Sequence, residues 1–458
     1  MKVFAWVALV CLVGTAPMAW AQEKEAPMAC VATAAGDAAS VIVAVAGSEN
    51  ADPKAAAMEA AAAAIKACNG SAKGLVVFED TKDSAAVAAG VAEAAKALPW
   101  IGCHAEALVS EKTLKPGVGV AVMAIGGAKV SVQTASADLN KQRRVTAKGL
   151  VDQLKGAQDP KVIFALSEPD LSFEEGVTVE DFLLGMKEGF PNAMLFGGNC
   201  KPGAGDKGIQ LKDGKVLGRS VVAMAVSGPI KVFGDHTTEF QPIGKPVKVT
   251  KAEGKWVLEL DGKPAAQVYR EIRGMKPADE LTSDAEHPIG VIVSKELDRR
   301  YNRMVLEWRN KDGKVGTRED YGMEPGQEAA LRFIAEIPEG SMVQVMGYTG
   351  TTASINDSAK AAVADMLKQA EAGKVKPLVV MTSDCCTRGS RLIRFSQTEG
   401  KASDEVKDGI RPAYPGKKLP VFGFYAYGEI GPIRGPFQGL NYQYQQHTFV
   451  GMTLAATE

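Results

Sequence analysis

A segment pattern that occurs three times constrains the fold of this chain more than any other feature. In each copy an apolar strand ends in acidic or small polar residues, a helical stretch follows, and a second apolar strand runs into a glycine-containing loop. The copies pair residues 75–80 with 99–104, 162–167 with 194–199, and 378–383 with 419–424. This order predicts βαβ-like units in an α/β (mixed α+β) fold with mixed sheets, and it gathers polar loops at strand ends, where such sheets bind ligands.

Local signals place the other elements. Asp52 and Pro53 are typical of a helix start, and the alanine-rich stretch that follows is expected to end at Asn69. Residues 231–243 are expected to be rich in loops, 247–261 to form strands around a turn at 253–254, and 354–372 to be a helix. The change of pattern predicts a domain boundary near residue 228, which gives domains 22–228 and 229–458. No low-complexity linker separates them, so we expect them to pack together.

The first residues are typical of a secretory signal peptide over residues 1–21. Lys2 precedes an apolar run over residues 3–13, and Ala19, Trp20 and Ala21 form an A-x-A cleavage site. The run is shorter than the roughly 20 apolar residues that span a bilayer. No later stretch is long and apolar enough to cross a membrane. We therefore expect an exported protein, periplasmic or secreted, with no membrane span after cleavage.

Composition argues against several classes of function. The 53 basic and 54 acidic residues give a net charge of −1, so nothing favours nucleic acid as a partner. The chain lacks G-x-S-x-G, H-E-x-x-H, Walker and C-x-x-C motifs, and its four histidines show no metal-ligand spacing. We therefore predict no metal and no cofactor, and we expect a binding protein rather than an enzyme.

Six of the seven cysteines follow the predicted cleavage site: Cys30, Cys68, Cys103, Cys200, Cys385 and Cys386. An oxidising compartment permits disulfides, and the first three share the N-terminal part, so one local bridge there is plausible. The alternative is that these residues are buried free thiols.

The segment 382–389 follows a strand and precedes a helix that we expect to begin near Ser390. A helix N-terminus attracts anions, Arg388 adds a fork of donors, and the same setting would lower the pKa of a cysteine. Three interpretations stay open. Cys385 and Cys386 could be buried at the strand end, belong to a ligand site, or carry out redox chemistry, including a vicinal disulfide.

Two further segments are candidates for binding. Tyr425, Tyr427 and Glu429 lie on a glycine-flanked turn, where Glu429 could bind a ligand ammonium, act as a general base, or simply be solvated. Alternation in the segment 441–449 places Tyr442, Tyr444, Gln446 and Thr448 on one face and Gln443, Gln445, His447 and Phe449 on the other. This polar strand could complete a pocket, or it could be an ordinary edge strand.

At these residues the chain resembles the FIST family, a sensory domain of bacterial signalling proteins. Segments 76–80, 100–104, 182–185 and 195–198 resemble the FIST N region, and segments 242–244, 260–262 and 424–431 resemble FIST C. The most specific element is the ordered set of Cys386 and Arg388, then Gly428 and Glu429, then Thr448 and Phe449. Family members commonly carry an Asn-x-Thr element near the end, and residues 446–448 stand in its place here.

The resemblance implies a small ligand, with amino acids or related metabolites proposed for the family, and a signal passed to an output domain or a separate partner protein. Arg388 with helix N–H groups would bind a carboxylate, and Glu429 an ammonium group. The ligand-binding set predicted is Cys386, Arg388, Tyr425, Tyr427, Glu429, Gln446 and Thr448, with no catalytic residue. The first alternative is a thiol-dependent enzyme or redox protein that uses Cys385 or Cys386, with His447 or His104 approaching in space. A second is an interaction module without a pocket.

Overall fold

The computed structural model describes residues 32–114, 116–169, 177–202, 208–276, 279, 281, 284–310, 315–316, 328–348, 350–416, 418–437 and 440–457. The predicted signal peptide and Cys30 lie outside the described residues. The chain is a mixed α/β protein, as predicted, and its described strands form four sheets. Among the described residues, no helix is both long enough and apolar enough to cross a membrane.

The elements before residue 228 follow in chain order. They are β1 (Ala32–Gly36), β2 (Ile42–Ser48), α1 (Pro53–Ala67), β3 (Ala72–Asp80), α2 (Ser84–Ala95), β4 (Trp100–His104), β5 (Leu108–Ser110), β6 (Lys112–Thr113), β7 (Gly119–Gly126), β8 (Ser131–Asp138), α3 (Arg143–Leu154), β9 (Val162–Ser167), α4 (Val179–Gly189), β10 (Met194–Asn199), β11 (Ile209–Lys212), β12 (Lys215–Gly218) and β13 (Ser220–Ser227).

The remaining elements complete the chain. They are β14 (Ile230–Thr237), β15 (Phe240–Glu253), β16 (Trp256–Leu260), β17 (Lys263–Pro264), α5 (Ala265–Arg273), β18 (Asp284–Ser294), β19 (Arg299–Asn310), β20 (Val315–Gly316), β21 (Glu328–Phe333), β22 (Met342–Tyr348), α6 (Thr352–Ala372), β23 (Lys376–Cys385), α7 (Cys386–Glu399), a π-helical turn (Glu405–Ile410), a 3₁₀ turn (Arg411–Ala413), β24 (Val421–Ala426), β25 (Glu429–Phe437), β26 (Leu440–Gln445) and β27 (Phe449–Ala456).

The four sheets are numbered here by their order along the chain. Sheet 1 has the strand order β1-β2-β7-β3-β4-β11-β12, and sheet 2 has the order β26-β25-β10-β9-β13-β8. Sheet 3 has the order β14-β27-β23-β24-β5-β6, and sheet 4 has the order β15-β22-β18-β19-β21-β16-β17 with β20 beside β19.

All three predicted βαβ units are confirmed. Strand β3 pairs in parallel with β4, β9 with β10, and β23 with β24, and the other pairings between described strands are antiparallel. Each parallel pair needs a crossover, which α2, α4 and α7 provide. The segment pattern of the sequence therefore located the parallel part of the fold.

Two sheets combine strands from both sides of residue 228. In sheet 2, β25 pairs with β10, and in sheet 3, β5 pairs with β24. Phe78 stacks on Phe422 and Phe424 with ring centroids 4.8 and 4.2 Å apart, which joins sheets 1 and 3 in one apolar core. The predicted packing of the two halves thus extends to shared sheets, while a boundary at residue 228 stays a prediction.

The alanine-rich helices pack closely, as their small side chains allow. The Asp52 side chain accepts a hydrogen bond from the Ala55 amide at 2.8 Å, so the predicted N-cap of α1 is confirmed. A Cβ atom added to Gly90 of α2 would lie 2.4 Å from the Lys54 carbonyl oxygen of α1. Small residues therefore set the distance between α1 and α2.

Two local expectations are corrected. Residues 231–243, expected to be loop-rich, form most of β14 and the start of β15, because β14 pairs along its whole length with the distant strand β27. The helix expected near Ser390 begins at Cys386, directly after β23, so Cys385 is its N-cap residue and Arg388 lies in its first turn.

The described cysteines are free thiols. Cys68, Cys103 and Cys200 are buried in the core, as are Cys385 and Cys386 at the end of β23. The buried-thiol alternative is therefore confirmed for these five residues, and no bridge joins Cys68 to Cys103.

Candidate functional site

The carboxyl ends of the three parallel strand pairs meet, as the segment pattern predicted. The Lys201 amide donates to the His104 carbonyl at 2.8 Å, which joins the first unit to the second. The Tyr427 amide donates to the Asn199 carbonyl at 3.1 Å, which joins the second to the third. The polar strand ends of all three units therefore lie in one region.

A glycine with a positive φ carries the chain from β24 in sheet 3 to β25 in sheet 2. Gly428 has a φ of 133°, and a Cβ atom there would lie 2.0 Å from the Tyr444 hydroxyl. No larger residue fits that turn without movement of Tyr444. The turn makes Glu429 the first residue of β25 and places it between the two sheets.

Glu429 is fully buried, and neither of its carboxyl oxygens receives a hydrogen bond of normal geometry from the described residues. The Cys385 thiol and the Thr448 amide lie beside it. Burial, then the negative charge near Cys385 and Asp384, raises the pKa of Glu429 well above its usual value. A raised pKa favours the protonated carboxyl group, which can both donate and accept a hydrogen bond.

Two glutamines of β26 extend this polar face. In the register of β25 and β26, Gln445 lies opposite Glu429, and Gln443 lies opposite Gly431, so all three polar side chains share one face. Both ends of the buried Gln443 amide, and the Gln445 Oε1 atom, lack a hydrogen-bond partner among the described residues. Buried polar atoms are normally satisfied, so these three atoms need partners that the described residues do not supply.

Cys385 ends β23 beside this face and exposes only 5% of its surface. Its Sγ atom lies 3.0 Å from the Thr387 hydroxyl, which in turn lies 2.8 Å from His447 Nδ1. Burial alone would raise the pKa of the thiol, but hydrogen bonds from Cys386, His447 and Thr387 outweigh it and hold the pKa of Cys385 well below its usual value. The structure therefore places a thiol whose pKa is lowered next to a carboxyl group whose pKa is raised.

Arg388 is fully buried and is surrounded by acidic groups of the protein. Its guanidinium forms ion pairs with Asp384 at 2.6 Å, with Glu405 at 2.7 Å, and with Glu239. It also donates to the Ser358 hydroxyl at 3.0 Å. In this arrangement the protein itself occupies the guanidinium that the sequence assigned to a ligand carboxylate.

Three of the other predicted ligand residues also have partners inside the protein. The Tyr425 hydroxyl donates to Glu405 at 2.7 Å, and the Tyr427 hydroxyl donates to Glu106 at 2.8 Å. The Gln446 side chain accepts from the Met304 amide at 3.0 Å.

The remaining predicted residues lie together at the thiol. The Cys385 amide donates to the Thr448 carbonyl at 3.2 Å, and Cys386 follows directly in α7. Of the predicted set, the structure thus brings Cys386, Glu429 and Thr448 together around Cys385.

Sequence reasoning missed Thr387, and it named His447 only as a residue that could approach a thiol. The alternation of the segment 441–449 correctly placed Gln443 and Gln445 on one face. The alternation does not extend to His447, because β26 ends at Gln445 and His447 has a φ of 52°. The position of Thr387, two residues after Cys385 at a strand-to-helix junction, was the available signal. Within the described ranges, no group of three or more histidine, cysteine or acidic side chains could hold a metal ion.

Comparison with protein families gives two adjoining matches. A model described as the FIST N domain matches residues 72–263, and one described as the FIST C domain matches residues 265–432. The FIST C match includes Cys385 and Glu429, whereas Gln443, Gln445 and His447 follow its last matched residue.

Curated relatives share about half of the chain. An uncharacterized protein of Mycobacterium bovis is 26% identical over 253 residues, which cover 54% of this chain and 57% of that protein. An uncharacterized protein of Methanocaldococcus jannaschii is 29% identical over 237 residues, which cover 50% of this chain and 43% of that protein.

Among solved structures, a cyanuric acid hydrolase from A. caulinodans aligns with a TM-score of 0.26 and 8% identity, covering 42% of this chain and 72% of that one. Phosphoribosylformylglycinamidine synthase II from Thermotoga maritima aligns with a TM-score of 0.19 and 11% identity, covering 95% of this chain and 75% of that one. Likenesses this weak imply nothing about fold or function.

Proposed function

Because this chain belongs to the FIST domain proteins and carries both the FIST N and the FIST C domain, we propose that it is a sensory protein that binds a small polar ligand at the face formed by Glu429, Gln443 and Gln445. One observation carries the proposal: a fully buried carboxyl group whose two oxygens receive no hydrogen bond of normal geometry from the described residues. Such a group is costly in an apolar interior, and a bound ligand that supplies the missing partners offsets that cost.

The chemistry of the face defines the class of ligand. A carboxyl group and two primary amides can donate and accept hydrogen bonds, so they match a small molecule with amino, amide or hydroxyl groups. An amino acid remains the leading candidate. Its ammonium group would lie at Glu429, and its carboxylate at the first turn of α7, where no described side chain caps the backbone amides. Arg388 is already engaged by three carboxylates and is not required for this binding mode.

A thermal-shift screen of the purified, ligand-free protein with amino acids and related metabolites tests the proposal. A ligand at about 100 times its dissociation constant should add ~2.7 kcal/mol to the free energy of unfolding. Glu429→Gln should abolish or strongly weaken that shift, whereas Glu296→Gln, at an exposed position, should leave it unchanged. Absence of any shift across the screen, or an equal shift in Glu429→Gln, would overturn the proposal.

We also propose that the protein acts outside the cytoplasm and signals through a separate partner protein, as its N-terminal sequence and its family suggest. Cell fractionation followed by N-terminal sequencing tests the first part. The mature protein should be found in the periplasm or the medium and should begin at Gln22. A cytoplasmic protein that still carries residues 1–21 would contradict it.

A further inference from the structure

Cys385 occupies a position that favours a negatively charged sulfur. It ends β23 and is the N-cap residue of α7, a helix of 14 residues. The first-turn amides of that helix point toward the cap, and the helix dipole stabilises an anion there. No described side chain caps the N-terminus of this helix.

A relay connects the sulfur to an imidazole. The Thr387 hydroxyl lies 3.0 Å from Sγ and 2.8 Å from His447 Nδ1. A hydroxyl group that accepts a hydrogen bond from a ring N–H and donates one to the sulfur stabilises the thiolate indirectly. The imidazole thus reaches the sulfur through Thr387, and His447 itself is almost fully buried.

An acid stands on the other side of the sulfur. Glu429 is fully buried beside Cys385, and burial together with the neighbouring negative charge raises its pKa, which favours the protonated form. The sulfur and this carboxyl group are therefore adjacent, and neither is engaged in the ion-pair network of Arg388.

Building on the function proposed above, we propose that Cys385 captures a small aldehyde as a reversible hemithioacetal, with Glu429 as the proton donor. The Cys385 sulfur forms a bond to the carbonyl carbon, and the carbon–oxygen π bond breaks. The electron pair moves to oxygen, which takes the proton of Glu429. Glu429 becomes a carboxylate, and reversal of the same steps releases the aldehyde. The addition needs no oxidant and no leaving group.

The geometry favours an aldehyde over an ester or amide substrate. Hydrolysis of an acyl group needs a base that activates water and an acid that protonates a leaving group. The Nδ1 atom of His447 is taken by Thr387, and the acid lies next to the sulfur, where the oxygen of an added aldehyde would form. Reversible capture without turnover also suits a sensor, because the bound state persists.

The first experiment measures the nucleophile in the wild-type protein. The titratable and charged groups around the sulfur are Asp384, Cys386, Arg388, Glu429 and His447. Alkylation by iodoacetamide, followed by peptide mapping, should proceed at Cys385 nearly as fast at pH 6 as at pH 8. A cysteine with a pKa near 8.5 would slow by about 75-fold over that range. A decrease of that size would overturn the proposal without any need for a variant.

Two threonine variants of α7 then distinguish the effect of the relay through Thr387 on the pKa of Cys385 from the effect of the helix. Thr387→Val should slow the alkylation of Cys385 at pH 6 by at least about tenfold and shift its pH midpoint upward, because the relay to His447 is broken. Thr398→Val changes an exposed threonine of the same helix and should behave as wild type. Equal rates in both variants would remove the relay from the mechanism.

The second experiment follows the aldehyde itself. Acetaldehyde labelled with ¹³C at the carbonyl should give a protein-bound hemithioacetal signal by NMR and should protect Cys385 from iodoacetamide, whereas ethanol should not. Cys385→Ser should lose the signal, and Glu429→Gln should weaken it while iodoacetamide still labels Cys385. No signal and no protection with folded wild-type protein would overturn the covalent proposal.

The two proposals fail separately. A thermal shift with a non-aldehyde ligand that persists in Cys385→Ser would support the binding function, while absent aldehyde capture would refute only the covalent step. Conversely, aldehyde capture that is unchanged in Glu429→Gln would refute the role of Glu429 as proton donor.

Discussion

At the scale of single residues, buried charges define the candidate site. Arg388 gathers three carboxylates around one guanidinium, which leaves Glu429 as the acid without an ion-pair partner at the site. These three ion pairs leave Arg388 unavailable to a ligand. They also hold the junction of β23 and α7 in place, and this junction positions Cys385.

Replacement of Arg388 by methionine should destabilise the protein by about 3–5 kcal/mol, because it leaves Asp384, Glu239 and Glu405 buried without their cation. Arg394→Met, on the same helix, should cost at most about 1 kcal/mol, since that side chain is 56% exposed and lies 3.8 Å from Glu286. Urea unfolding of both variants measures the difference. Similar losses in the two variants would contradict an internal structural role for Arg388.

A second prediction concerns His236 in β14. Its ring is fully buried, neither ring nitrogen has a hydrogen-bond partner in the described part of the chain, and Asp235 lies 3.9 Å from Nδ1. Burial, together with the positive charges of Arg299 and Arg434, lowers the pKa of His236 to about 3. In the unfolded chain this histidine binds a proton near pH 6.5, whereas in the native state it does so only near pH 3. This residue therefore lowers the free energy of unfolding progressively as the pH falls from 6.5 toward 3.

Between pH 7 and pH 4.5 this linkage should remove about 2–3 kcal/mol from the free energy of unfolding of the wild type. His236→Gln should lack that component, so the stability difference between the two proteins should change by that amount between the two pH values. Urea unfolding at pH 7 and pH 4.5 provides the comparison. A difference that does not depend on pH would show that His236 does not titrate in this way.

At the scale of elements, the site depends on the transfer of the chain between two sheets. Strand β24 belongs to sheet 3 and β25 to sheet 2, and only Tyr427 and Gly428 separate them. This short connection brings the β25–β26 face, with Glu429, against the end of β23, with Cys385. The site is therefore a product of a sheet-to-sheet crossing and not of one loop.

Gly428→Ala should destabilise the protein by at least about 2 kcal/mol, because the added methyl group meets the Tyr444 hydroxyl in a strained backbone conformation. Gly400→Ala tests positive φ alone: Gly400 ends α7 with a φ of 67°, has open space around its Cα, and should cost only about 1 kcal/mol. Thermal unfolding of both variants measures the contrast. An equally mild effect at Gly428 would mean that the turn relaxes easily.

At the scale of the whole molecule, the two halves complete each other. Strand β10 needs β25, and β24 needs β5, so each half leaves an open sheet edge when it is alone. The stacked rings of Phe78, Phe422 and Phe424 would also lose their partners.

Residues 22–228 and 229–458 expressed separately should therefore fail to fold cooperatively, whereas the full chain should unfold in a single transition that involves both halves. Coexpression of the two fragments should restore a folded complex. Circular dichroism and amide NMR dispersion distinguish the outcomes. A well-dispersed spectrum from residues 22–228 alone would show that this half is an independent domain.

The sequence by itself determined the α/β class, the three parallel strand pairs and the cap of α1. These depend on local signals, namely apolar runs, helix caps and glycine turns, which a short window of residues contains. The tertiary structure alone decided that residues 231–237 form a strand, that Arg388 is neutralised inside the protein, and that Thr387 and His447 join Cys385. Those outcomes depend on residues that are distant in the sequence: Ile230 pairs with Ala456, and Thr387 meets His447, 60 positions away. Arg388 and Asp384 are close in the sequence, but Glu239 and Glu405 are brought to them by other elements. Strand pairing and charge burial are properties of the assembled core, and no local pattern specifies which distant partner a residue will meet.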